Sequence, residues 1–258
     1  EDRGWIVDRH RPRIGFRELH RALYAFVASP DLRRLERIVL PHRVGRDGQR
    51  GPEGVDAAPM QLEASAPRED RALNKDQQRA IADALEGHDA FLIHGPPGTG
   101  KTTVIAELCA RLVARGQRVL LAACTNSAVD TMLAKVVRAG VVDVLRVGSV
   151  GRSNPELLSA LEDAGRPAGR HFSRELGLDT EDLSLLRQRV VDTAVFAATA
   201  NRCVSSAVFR ALGQALEDDD APGPLFDVAI IDEASQLTEP LALGAVPRAR
   251  RFVLVGDD

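Results

Sequence analysis

The chain has 258 residues, 44% of them hydrophobic and 28% charged, with a formal net charge of -3. This profile fits a globular protein able to bury a sizeable core and excludes collagen, coiled coil and disulfide scaffold. No apolar run approaches the roughly 18 to 20 residues that span a bilayer, and EDRGWIVDRH at the start lacks the apolar stretch of a signal peptide, so a cytoplasmic protein with no membrane partner is expected.

Apolar residues Phe16, Leu19, Leu23, Phe26 and Val27 recur at helical spacing until Ser29-Pro30, and a second short helix carries Leu32, Leu35, Ile38 and Val39 inward. From Pro41 to Arg71 the chain is rich in Gly, Pro, Ala and charge without a period, which reads as a linker. A helix over about Lys75 to Leu85 then leads to the apolar run 90–95. The following runs, 119–124, 142–148, 193–200, 226–232 and 251–256, alternate with helices. These end near Arg115, span about Ser127 to Arg138, continue as a polar stretch to about Arg189, and close with Ser206 to Leu216. The acidic run from Glu217 to Asp220 reads as a solvated loop. Continuous apolar strands separated by helices predict an α/β fold with a parallel sheet covered on both faces, whose ligands sit at the carboxyl ends of the strands.

Cys109, Cys124 and Cys203 form no CxxC pair and are expected to be reduced core residues without a metal role. Of 34 basic residues only Lys75, Lys101 and Lys135 are lysine. Residues 1–50 hold 12 Arg against seven Asp plus Glu; a solvated helix face is the simpler reading of that excess and a nucleic-acid-facing surface the other.

The segment GPPGTGKT, Gly95 to Thr102, fits G-x-x-x-x-G-K-[ST] between a predicted strand and helix, the pattern of a P-loop NTPase. Its glycines let backbone N–H groups turn around phosphate oxygens, and the next helix offers its positive end. Gly95, Pro96, Pro97, Gly98, Thr99, Gly100, Lys101, Thr102 and Thr103 are therefore the expected nucleotide contacts, with Lys101 on the β- and γ-phosphates and Thr102 on Mg²⁺. The run DVAIIDEAS supplies carboxylates at the end of another strand. Asp232 is placed to hold Mg²⁺ and Glu233 to deprotonate the attacking water, which makes Lys101, Asp232 and Glu233 the expected catalytic set and Thr102 and Asp232 the metal ligands. The chain has no LSGGQ segment, and NKDQ places Gln77 where a GTPase would carry its base-reading Asp.

Six segments stand in one order: LNKDQQRAI (73–81), GPPGTGKT (95–102), TNSAVD (125–130), the Thr199 region, IIDEASQ (230–236) and LVGDD (254–258). In that order they resemble superfamily 1 helicases, in the branch that includes the nonsense-mediated-decay helicase, senataxin and the replication nuclease-helicase. The resemblance implies a RecA-like ATPase domain at 73–258 with a helical insertion at about 150–190, preceded at 1–72 by stalk helices and linker. It implies that Gln77, with Asn74 beside it, reads adenine and so selects ATP, and that Thr125, Asn126, Thr199 and Asn201 contact a single-stranded backbone. Asn126 or Ser127 is alternatively a helix N-cap. It further implies a 5′-to-3′ motor on single-stranded DNA or RNA that needs a second RecA-like domain of the same full-length chain. TNSAVDTML leans toward the nuclease-helicase side and hence DNA. A nucleotide-gated single-strand clamp is the alternative. The start at Glu1 without Met and the end at Asp257 and Asp258, short of the family's glutamine, lead to the expectation that the sequence is an excerpt.

Overall fold

Two strands of five residues, β2 (Val119–Ala123) and β4 (Val195–Thr199), are buried at every position. A strand alternates its side chains between two faces, so burial at every position requires cover on both. Val119, Leu121 and Ala123 pack in one core with Ile105, Leu108, Leu112, Met132 and Leu133. Leu120 and Ala122 pack in a second core with Phe196, Phe209, Leu212, Phe226 and Phe252. Phe226 meets Phe196 and Phe209 edge to face, with centroids 5.2 and 6.3 Å apart. Each such fully buried Leu, Ile or Phe contributes roughly 1.5–3 kcal/mol of transfer free energy.

The computed structural model describes residues 73–178, 193–216, 224–237 and 244–257. The expected stalk helices and linker at 1–72, the acidic run at 217–220, the expected helix beyond residue 178 and Asp258 lie outside them. In chain order the described elements are α1 (Lys75–Leu85), β1 (Ala90–His94), α2 (Lys101–Ala114), β2, α3 (Asn126–Arg138), β3 (Val144–Arg146), α4 (Pro155–Asp163), β4, α5 (Ala200–Ser205), α6 (Ala207–Leu216), β5 (Phe226–Ile231) and β6 (Ala249–Gly256), with short 3-10 turns between some of them. The six strands form one sheet in the order β1-β6-β5-β2-β4-β3, and every pairing is parallel. All carboxyl ends therefore lie along one edge, where such sheets bind ligands. The expected α/β parallel sheet with helices on both faces is the fold observed. Among the described residues no helix is long and apolar enough to cross a membrane.

One element is added to the sequence expectations and two of them are corrected. The helix expected at Ser206–Leu216 is observed as α6, and a short helix not expected from the sequence precedes it: Thr199 caps α5 at the very tip of β4, accepting from Arg202 N–H at 3.3 Å, and extended Ser206 separates it from α6. The polar stretch after β3 is not one helix. Asn154 caps α4, but the chain leaves it through Gly165 at φ 68° and Pro167, neither of which continues a helix. Residues 171–173 instead cover the outer edge of β3, where Arg146 donates to His171 O at 2.7 Å and accepts from Ser173 N at 3.0 Å. Finally, only Cys109 and Cys203 are core residues; Cys124 is exposed, because the chain leaves the sheet after Ala123. Burial raises the Cys109 thiol and pushes that of Cys203 up to about 12, so both stay protonated and inert.

Candidate nucleotide and nucleic-acid site

The carboxyl edge of the sheet divides into two halves. The tips of β1, β6 and β5 carry the phosphate loop, Asp257 and the Asp232–Glu233 pair; those of β2, β4 and β3 carry Thr125–Asn126, Thr199–Asn201 and Gly148–Ser149.

In the first half, Gly95 N–H donates to Gly256 O at 3.1 Å, joining β1 to β6 where the loop begins. Gly100 precedes α2 at φ 83° and offers no side-chain cap. A Cβ there would stand 2.5 Å from Gln77 Nε2, so only glycine serves both the turn and the close approach. The N–H groups of Gly98, Gly100, Lys101 and Thr102 have no acceptor among the described residues. Four free donors at an uncapped helix start form a cradle for an anion. Lys101 Nζ bonds back to Gly95 O at 2.5 Å and Pro96 O at 3.3 Å, with Asp257 Oδ2 at 3.6 Å. Thr99 Oγ1 donates to Pro96 O at 2.8 Å, holding the loop's shape.

Gln77 closes this half from α1. Asn74 Oδ1 accepts from Gln77 N–H at 2.8 Å while Gln77 Oε1 accepts from Asn74 N–H at 3.0 Å, a reciprocal cap of the helix start. Gln77 Nε2 donates to Thr99 O at 2.9 Å. The amide keeps one lone pair and one N–H for a base.

Asp232 is buried at the end of β5, and its Oδ1 accepts from Glu233 N–H at 3.0 Å. Burial raises its carboxyl above the usual carboxylate range, the Glu233 N–H and the Lys101 charge oppose the rise, and Asp257 adds to it. Glu233 has φ 53°, in the left-handed region, a conformation that costs on the order of 1–3 kcal/mol for a residue with a side chain and is concentrated at working sites. Its Oε2 is buried with no hydrogen-bond partner. Burial, then the charges of Asp232 and Asp257, raise its pKa too. The half-buried Thr102 hydroxyl likewise has no partner among the described residues. A hard oxygen-binding dication would satisfy such a set: a threonine hydroxyl, an under-neutralised carboxylate and a neighbouring unpartnered carboxylate oxygen.

In the second half, Thr125 caps α3, its Oγ1 accepting from Ala128 N–H at 3.2 Å. The cap is thus Thr125, not Asn126 or Ser127. A cavity of about 300 Å³ opens here, lined by Asn126, Thr199 and Asn201 together with Arg146, Ser149, Arg152 and Arg202 among others. Asp232 N–H donates to Ala122 O at 2.9 Å, so the two halves share a bond between β5 and β2.

A family model described as an AAA domain matches residues 72–166 and 172–258. The chain belongs to this AAA-domain family. Within it, this AAA domain is the RecA-like domain of superfamily 1 helicase type that the motif order indicated. It is 34% identical over 188 residues to the DNA replication ATP-dependent helicase/nuclease DNA2 of Saccharomyces cerevisiae, covering 73% of this chain and 11% of that protein. Its identity to the human protein of the same name is 34% over 187 residues, covering 72% and 16%. Against the helicase/nuclease JHS1 of Arabidopsis thaliana it is 33% over 188 residues, covering 73% and 12%. The chain thus spans between 11% and 16% of the length of these relatives. Among solved structures it is similar to the UvsW helicase from bacteriophage T4, with 12% identity, a TM-score of 0.48, and coverage of 76% of this chain and 56% of that one.

The AAA domain brings Gly95–Thr103, Gln77, Asp232 and Glu233 to one half of the edge and Asn126, Thr199 and Asn201 to one cavity. Asn74 is spent largely on capping α1, and Thr125 and Thr199 spend their hydroxyls on caps. Sequence reasoning missed Arg146, Asp130, Arg152 and Arg202. Arg146 left a signal: it interrupts the apolar run VDVLRVG, where a charge needs a buried partner. Arg152 sits in a polar stretch that no periodicity distinguishes, and Arg202 in a helix of six residues, too short to show a period.

Proposed function

We propose that this AAA domain binds ATP with Mg²⁺ and, in a longer chain with a second RecA-like domain, couples ATP hydrolysis to 5′-to-3′ movement on single-stranded DNA. The observation that carries the reading is the divided edge: nucleotide-type groups on β1, β6 and β5, a polar cavity with three arginines on β2, β4 and β3, and the Asp232–Ala122 bond between them. DNA rather than RNA is favoured by the relatives, whose names place them in DNA replication.

The free N–H groups of Gly98, Gly100, Lys101 and Thr102 cradle the phosphates. Lys101 leaves the carbonyls of Gly95 and Pro96 for the β- and γ-phosphate oxygens, exchanging neutral acceptors for charged ones. Thr102 and Asp232 would hold Mg²⁺, which would supply positive charge to offset that of the phosphates. Glu233, with a free Oε2 and a raised pKa, takes the proton of the attacking water. Gln77 turns its remaining donor and acceptor to the base. Asn126, Asn201, Arg152 and Arg202 take backbone phosphates of the strand.

The second domain supplies the charge facing the γ-phosphoryl group, a contribution of about 10³ to 10⁵ in rate in P-loop enzymes. The test measures ATP turnover and unwinding by the 258-residue chain and by a chain extended through that domain, with and without single strands. Strand-stimulated turnover and unwinding by the extended chain alone are expected. Equal unwinding by the shorter chain contradicts the two-domain motor, and strand binding without stimulation in the extended chain makes the protein a clamp.

A further inference from the structure

Arg146 lies in β3 with a side chain 3% exposed, among apolar neighbours. Each of its three nitrogens donates a hydrogen bond: Nε to Asp130 Oδ1 at 2.6 Å, Nη1 to Val147 O at 2.9 Å and Nη2 to Asn126 Oδ1 at 2.8 Å. Asp130, equally buried, gives its other oxygen to the Asn154 N–H at 3.0 Å. The result is a network running from α3 through β3 to the start of α4. Asn126 and Arg146 both line the cavity, and of the two only Asn126 is exposed.

A guanidinium can donate but never accept. The Asn126 amide facing it must therefore present Oδ1 to Arg146 and Nδ2 away from it. Asn126 Nδ2 has no partner among the described residues. We infer that Arg146 is a positioning residue that fixes the Asn126 amide as a donor into the cavity, where it takes an oxygen of a strand phosphate. The inference rests on the strand-binding reading of this cavity and adds the sense of the contact: Asn126 gives hydrogen bonds there and accepts none. The Asp130–Arg146 pair sets the plane of that amide, so the strand contact depends on two buried residues behind it.

The direct test is Asn126→Asp. A carboxylate keeps, and by its charge strengthens, the acceptor that Arg146 requires, while removing the only donor. Binding of a fluorescein-labelled oligothymidylate by anisotropy should fall at least tenfold, and the melting midpoint of the same variant should hold or rise. Arg146→Lys keeps the cation for Asp130 but not the fork that reaches Asn126. Affinity should fall several-fold at each salt concentration while the slope of log K against log salt stays that of wild type, because no phosphate-neutralising cation is lost. Wild-type affinity in Asn126→Asp, or a lowered melting midpoint in that variant, overturns the inference while the cavity remains a strand site. Failure of the wild-type chain to bind the oligonucleotide overturns the strand-binding reading and the inference with it.

Discussion

Gln77 Nε2 donates to the carbonyl of Thr99 at 2.9 Å, tying the first turn of α1 to the crown of the phosphate loop. The bond spans 22 residues and makes the conformation of the loop depend on the residue expected to read the base. Gln77→Glu replaces the donor by a carboxylate facing a carbonyl. Affinity for Mg²⁺-ATP should fall about tenfold, equivalent to about 1.4 kcal/mol, as measured by calorimetry, while Gln77→Ala should lose less because it leaves no repulsion. Wild-type affinity in Gln77→Glu would show that the tie has no bearing on the loop.

Asn74→Ala removes the cap of α1 and should lower stability by about 1 kcal/mol, a fall of about 2–4 °C in melting midpoint for a domain of this size. Calorimetric scanning in buffer without nucleotide checks it.

Glu233→Gln, made in the full-length protein, preserves the shape of the side chain and abolishes its ability to take a proton. Mg²⁺-ATP binding should remain near normal while turnover falls about 10²-fold or more. Single-turnover hydrolysis with a strand present measures this, and normal turnover would move the base elsewhere.

The raised carboxyls of Asp232 and Glu233 predict a stability that depends on pH in metal-free buffer. A carboxyl whose pKa is higher in the folded state binds more protons there than when unfolded, so the fold is favoured at low pH. That contribution is present below the unfolded values of 3.8 and 4.5 and is lost as pH rises through the folded values. Asp232→Asn, whose amide oxygen can still accept from Glu233 N–H, should raise the melting midpoint near neutrality and not below pH about 3.8. Thermal denaturation in chelator across this range checks it; a variant less stable than wild type at neutral pH would contradict the burial cost assigned to Asp232.

The Asp130–Arg146 pair predicts the reverse. Both side chains are almost fully buried, at 1% and 3% exposure, so truncating one strands the other's charge. Asp130→Ala should lose about 3–5 kcal/mol, read as a shift of the denaturant midpoint.

Much of this was legible from the chain because a doubly covered parallel sheet writes itself as unbroken apolar runs. The runs at 119–124 and 193–200 therefore located β2 and β4 to within a residue at most ends. The phosphate loop was legible because its backbone turn demands glycines at fixed spacing, and Asp232 and Glu233 because a carboxylate pair directly follows four apolar residues. The Arg146–Asp130–Asn126 network was not, since its members are brought together only when β3 joins the sheet beside β4. The separate identity of α5 was missed because Thr199, read as a strand residue and a phosphate contact, is also the cap that starts a helix immediately. Glu233's left-handed backbone had no signal, as its strain belongs to the turn and not to the residue type.

The measurement closest to the central claim is calorimetric titration of the 258-residue chain and its Lys101→Ala variant with Mg²⁺-ATP. The account predicts weak one-to-one binding by the wild-type chain and a loss of most of that affinity in the variant, because charge-assisted bonds to the β- and γ-phosphates are worth roughly 1.5 to 3 kcal/mol. Equal affinity in the two would contradict the assignment of Gly95–Thr102 as a nucleotide cradle.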